Sequence, residues 1–167
     1  MTFRVAVDFA FGQCRLKLTS GTAACTLVAH AEPNSFTDLV TAVADLAEGR
    51  RSVSVRWTSG DGSAADSFLD LALAPTGHVG IAVHDCVTVD GEWSPARGEA
   101  RFLTRVSYDE VITTFAAALW RTRVRYADDF GFIEQWGWLV PRHQLDSIMT
   151  RAGLIGFAPA SRREDAC

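Results

Sequence analysis

Phe3-Arg4-Val5-Ala6-Val7-Asp8-Phe9, followed after Gly12 by Gln13-Cys14-Arg15-Leu16-Lys17-Leu18-Thr19, decides the fold class of this chain. Phe3, Val5, Val7 and Phe9 fall on one parity, and Cys14, Leu16 and Leu18 alternate with Arg15 and Lys17. Successive side chains of a strand point to opposite faces, so this alternation marks strands with one face buried and one in water. A third run, Ala23 to Ala31, follows the turn signal Ser20-Gly21. Together the three runs predict an opening meander of antiparallel strands.

Downstream the period changes. Phe36, Leu39, Val40, Val43 and Leu46 recur at helical spacing after Ser35, which is placed to cap the first turn. Asp38 stands near the positive end of that helix, and Gly49 ends it. Val53, Val55 and Trp57 then alternate with polar residues up to the turn-forming Gly60-Asp61-Gly62-Ser63. Phe68 to Ala74 and His78 to Asp85, joined by Pro75-Thr76-Gly77, predict a hairpin with Val79, Ile81 and Val83 on one face. Asp90 to Gly98 reads as an exposed loop and Glu99 to Val106 as a strand. Ser107-Tyr108-Asp109-Glu110 has the residues of a capping box, with Glu110 reaching back, and opens a helix that buries Val111, Phe115, Ala118 and Leu119. Arg121 to Tyr126 alternates again as a strand would, Asp128 to Leu139 is aromatic and punctuated by glycine, and Pro141 to Ala152 predicts a last helix closed by Gly153.

Strands and helices do not alternate regularly, which argues against a doubly wound parallel sheet. The expected fold is α+β, a twisted antiparallel sheet of about six to eight strands with two or three helices packed mainly on one face. Residues 1–157 are expected to form a single domain, with 158–167 as a flexible C-terminal tail.

Of the 167 residues, 48% are hydrophobic and 22% charged, enough apolar material for one ordinary core. The net charge of −4 argues against a nucleic-acid partner, since phosphate binders carry an excess of Lys and Arg. No run approaches the about 20 apolar residues of a membrane helix, and the first residues lack the basic start and apolar core of a signal peptide. A cytoplasmic location is expected. Cys14, Cys25, Cys86 and Cys167 show no Cys-x-x-Cys pair, so free thiols are expected and neither a metal nor a cofactor is assigned.

No phosphate-loop or nucleophile-elbow pattern occurs: Ser59-Gly60-Asp61-Gly62-Ser63 lacks a following Lys. His84-Asp85-Cys86 suggests thiol chemistry, but on a strand Asp85 points away from the other two. Asp128, Asp129 and Glu134, with His84 and His143, are the residues an acid-base enzyme would use. Phe130, Phe132, Trp136 and Trp138 crowd one short segment, a composition that suits either a core plug or a recognition surface. Arg97, Arg101 and Arg105 share one parity of a predicted strand, as do Arg121, Arg123 and Arg125 of another. Adjacent strands would make these a guanidinium stripe suited to an acidic protein partner.

From Phe36 to Leu119 the order of features resembles a known family. A helix ending in Leu46-Ala47-Glu48-Gly49, a strand closing on Trp57, a hairpin around Thr76-Gly77-His78-Val79, and a strand running into Ser107-Tyr108-Asp109-Glu110 with Phe115 and Leu119 are similar to WapI-type immunity proteins and related actinobacterial domains of unknown function. The resemblance covers residues 36–120, about half the chain. It implies a protein that binds and blocks a cognate toxin, and it brings no catalytic residue. Three readings follow: a non-catalytic protein-binding module, immunity-like in its most specific form; a small enzyme or ligand-binding domain with a pocket between the sheet and the aromatic segment; and a subunit of a larger assembly. The first is favoured, and the oligomeric state stays open.

Overall fold

The computed structural model describes residues 2–59, 66–89, 92–126 and 128–153. The opening meander forms as expected: β1 (Phe3–Ala10), β2 (Gln13–Ser20) and β3 (Ala23–His30) pair antiparallel in the order β1-β2-β3. The ladder is unbroken, from Ala10 opposite Gln13 to Phe3 opposite Ser20. Phe3, Val5, Phe9, Leu16, Leu18 and Leu27 are buried on one face, while Arg4, Asp8, Arg15 and Lys17 stand exposed on the other. Cys14 and Cys25 are buried free thiols, and burial is the main cause that pushes both above the ordinary thiol value. Cys86, at intermediate burial, is in no disulfide among the described residues.

α1 (Ser35–Ala47) is capped by Asn34 rather than by the expected Ser35: the Asn34 carboxamide oxygen accepts from the Thr37 amide at 3.1 Å. Ser35 is fully buried, and its hydroxyl accepts from the Thr58 amide at 3.3 Å, joining the helix start to the end of the next strand. Both residue types cap well, so composition alone leaves the cap uncertain by one position.

A second antiparallel sheet follows, in the order β4 (Ser52–Trp57), β5 (Ser67–Leu73), β6 (His78–Val89), β7 (Glu92–Ser107). The expectation of one sheet of six to eight strands is therefore corrected to a three-stranded and a four-stranded sheet. α1 intervenes between β3 and β4, and the sheets meet through local bonds, Ser20 Oγ to Thr104 Oγ1 at 2.8 Å and the His30 amide to the Thr58 carbonyl at 3.4 Å. Residues 92–98, expected in an exposed loop, belong to β7, with Arg97 opposite Cys86 and Glu92 opposite Val89. Three register shifts along β6 and β7 break the alternation there, and bulged pairing hides a strand from a period-two reading. The turn expected at Gly60–Ser63 and the tail 158–167 lie outside the described residues.

α2 (Tyr108–Arg125) is longer than expected and includes Arg121 to Arg125, read above as a strand. Val111, Phe115, Ala118, Leu119 and Thr122 continue one buried helical face past that point, and arginine is a good helix former. Ser107 caps this helix by accepting from the Glu110 amide at 3.3 Å. Glu110 does not close the box; its Oε1 accepts from the Phe3 amide at 3.0 Å and so ties α2 to the start of β1. α3 (Asp129–Trp136) and α4 (Arg142–Arg151) follow. Among the described residues, side chains from both sheets and from α1 to α4 form one hydrophobic core. No helix among the described residues is long and apolar enough to cross a membrane.

Candidate functional site

The aromatic segment divides by helical position. Asp128 caps α3, accepting from the Gly131 amide at 3.1 Å, and this start turns Phe132 and Trp136, four residues apart, inward. They are 0% and 1% exposed. Phe9 is the hub of their cluster: its ring lies 4.9 Å from Phe36, 5.1 Å from Phe132, 5.5 Å from Trp136 and 6.0 Å from Tyr126, all edge to face. Edge-to-face contact aligns positive ring edges with negative faces. Trp136 Nε1 donates to the Asn34 carboxamide oxygen at 3.0 Å, so one side chain both caps α1 and anchors α3. Phe132 and Trp136 are core residues and are not available as contacts for a partner.

Phe130 and Ile133 face away from this cluster. Phe130 is 84% exposed, Leu139 64% and Trp138 41%, although Trp138 Nε1 donates to the Ala31 carbonyl at 2.6 Å. The same end of the first sheet carries the β1–β2 turn, where the Gly12 amide donates to the Gln135 carbonyl of α3 at 2.8 Å. At the tip of that turn Phe11 is 96% exposed with φ +51°. Sequence reasoning passed over Phe11 because it stands between two strand patterns; an aromatic before Gly12 in a two-residue loop is the signal that marks it.

The acids named above do not converge. Asp128 is the α3 cap, Asp129 pairs with Arg142 at 3.1 Å, and Glu134 and His143 are exposed on α3 and α4. His84 lies on the other sheet, its Nδ1 3.2 Å from the Gly98 carbonyl and its Nε2 3.9 Å from Asp70. Asp85 points away from it, as strand geometry requires, and pairs with Arg101 at 2.7 Å.

The arginine stripe is broken in two places. On β7 the first register shift sets Phe102 opposite Val83 and Ala100 opposite His84, leaving Arg101 as the additional residue. Arg101 bonds Asp85 and Ser67 instead of joining Arg97 and Arg105. Arg97 lies 3.6 Å over the Phe68 ring and reaches Asp70 and Ser54, while Arg105 bonds Thr76. Burial would raise the Asp70 carboxyl, but hydrogen bonds from Arg97 and Ser54, with the charges of Arg97 and His84, hold it below the ordinary carboxylate value. The hydrogen bond to Asp70 in turn raises Arg97. Asp70, opposite Ser54 on β5, is the partner that reading β7 alone did not find.

Arg121, Arg123 and Arg125 lie on a helix, so shared strand parity does not apply to them. Arg123 approaches Asp146 at 3.8 Å, and Arg125 lies 5.5 Å over Tyr126. Arg121 lines a cleft of about 220 Å³ between β1 and α2, bordered by Phe9 and Tyr126. This cleft lies beside the ring cluster, which fills the space between the first sheet and α3 where a ligand pocket was envisaged. No protein-family model, no curated protein and no solved structure matches the chain.

Proposed function

We propose that this chain is a non-catalytic protein-binding module whose contact surface is the exposed aromatic end of the first sheet. Phe11 carries the proposal. Type I′ hairpin loops favour Asn, Asp and Gly because both central residues take positive φ. A phenylalanine there goes against backbone preference, and at 96% exposure it contributes almost no burial in return. Contact with another molecule supplies the missing reason, and Phe130, Trp138 and Leu139 are further exposed apolar side chains on α3, which the Gly12 amide joins to this turn, and on the segment after it. Inhibition of a toxin domain, as the resemblance of residues 36–120 implies, and membership of a larger assembly are two forms of this reading. The enzyme reading has less support, since its acids serve as a helix cap and an ion partner or stand apart.

The test is affinity capture from the native source, using tagged wild type beside a Phe130→Ala/Trp138→Ala variant shown to be folded. A stoichiometric protein held by wild type and weakened by more than about 2 kcal/mol in the variant supports the surface. Equal retention by the folded variant counts against it.

A further inference from the structure

We infer that the open edge of β1, together with the groove between it and α2, seats an extended acidic segment of a protein partner as an added strand. This rests on the protein-binding reading and names the chemistry of what is bound.

Among the described residues β1 pairs only with β2 and is an edge strand. Its turn is a two-residue loop with positive φ at both Phe11 and Gly12, so the flanking Ala10 and Gln13 exchange backbone hydrogen bonds. In an antiparallel ladder such pairs alternate, so Arg4, Ala6 and Asp8 direct their amides and carbonyls to β2. Phe3, Val5, Val7 and Phe9 direct theirs to the open side. The Phe3 amide confirms this parity by donating across that side to Glu110. Among the described residues, no side chain bonds the outward groups of Val5, Val7 and Phe9 in the same way. An edge of unsatisfied donors and acceptors is a template for another strand.

The groove has a charge as well as a direction. Two clefts, of about 220 and about 290 Å³, share Ala118 and Arg121 and so run on from one another along β1. Arg4 and Arg121 line the first part and Arg125 the far end, and no carboxylate pairs with any of the three among the described residues. Asp8 is the one acid in the lining among the described residues. In a chain of net charge −4, three exposed arginines along one edge suit a partner with carboxylates at alternate positions, each able to take a guanidinium in a planar two-point contact. At the far end Tyr126 is buried, and its hydroxyl has no hydrogen-bond partner among the described residues.

Nucleic acid fits less well, because a phosphate backbone presents acceptors only, whereas the edge alternates donors with acceptors. A second copy also fits less well: Arg121 lies mid-groove, and a two-fold pairing of β1 edges would bring two of these cations together.

The test selects ligands for the whole protein from a random peptide library displayed on phage, then measures binding of the synthesised peptides. Val7→Pro removes one outward amide without costing a bond to β2, since Pro is tolerated where an edge amide faces outward. Arg121→Glu reverses the charge. Enriched peptides with acids at alternate positions, shifting the Val5, Val7 and Phe9 amide resonances and weakened about tenfold or more by each variant, are expected. Peptides insensitive to both folded variants, no enrichment, tighter binding of an oligonucleotide, or a dimer that Val7→Pro dissociates would each overturn the inference. Peptides weakened by Phe130→Ala/Trp138→Ala but not by Val7→Pro would sink the groove and leave the protein-binding reading standing; peptides weakened by none of these would sink both.

Discussion

Phe130 and Phe132 lie two residues apart on one short helix and end in opposite environments, 84% and 0% exposed. The cap at Asp128 sets the phase of α3, and that phase sends Phe132 and Trp136 into the Phe9 cluster and Phe130 and Ile133 outward. An aromatic-rich segment is therefore neither core plug nor recognition surface as a whole. Helical position decides residue by residue, and two of the four aromatics first grouped together cannot be tested as surface.

The sharpest way to break this division is by stability. Trp136→Ala should cost about 3–5 kcal/mol in urea denaturation, because it empties a filled site and leaves a polar partner behind, while Phe130→Ala should stay within about 0.5 kcal/mol. Similar losses at both positions would refute the assignment. Asn34→Ala comes next, at about 1–2 kcal/mol, since a single oxygen serves both the α1 cap and Trp136 Nε1. Its loss should combine non-additively with that of Trp136. Phe11→Asn should change stability in the other direction, raising it by about 1 kcal/mol by fitting the positive φ, while it weakens partner capture. A variant that is more stable and binds as well as wild type would remove the main support for a contact role.

The smallest effect is a pH dependence. The folded Asp70 carboxyl lies below its ordinary value of 3.8, so its contribution to stability is complete above that value and is lost as pH falls through the folded value. Asp70→Asn should flatten the acid limb of the stability profile. An unchanged limb would show that the Arg97 pair contributes nothing measurable.

Much of the fold was legible because local signals agreed: clean alternation over Phe3 to Phe9 and again over Cys14 to Leu18, the Ser107 cap, and glycines at helix ends. The failures have specific causes. Arg121 to Arg125 alternates like a strand, yet it lacks any breaker between it and the strong helix ahead, and the buried series from Val111 to Thr122 carries the helix through. Bulges in β7 displaced Arg101 to the opposite parity from its neighbours, so no stripe exists to be read. The division of the strands between two sheets depends on which edges meet, and period-two patterns carry no such information. Of the contact surface, Phe130 and Trp138 were visible by type, but Phe11 gains meaning only from its φ and its exposure.

The most direct test of the account is amide hydrogen exchange on the purified complex with the captured partner, compared with the free protein. Slowed exchange at the β1–β2 turn around Phe11 and along α3 near Phe130 is the predicted result. Protection confined to the second sheet, with both of those segments unchanged, would contradict the claim that the aromatic end of the first sheet is where this protein meets its partner.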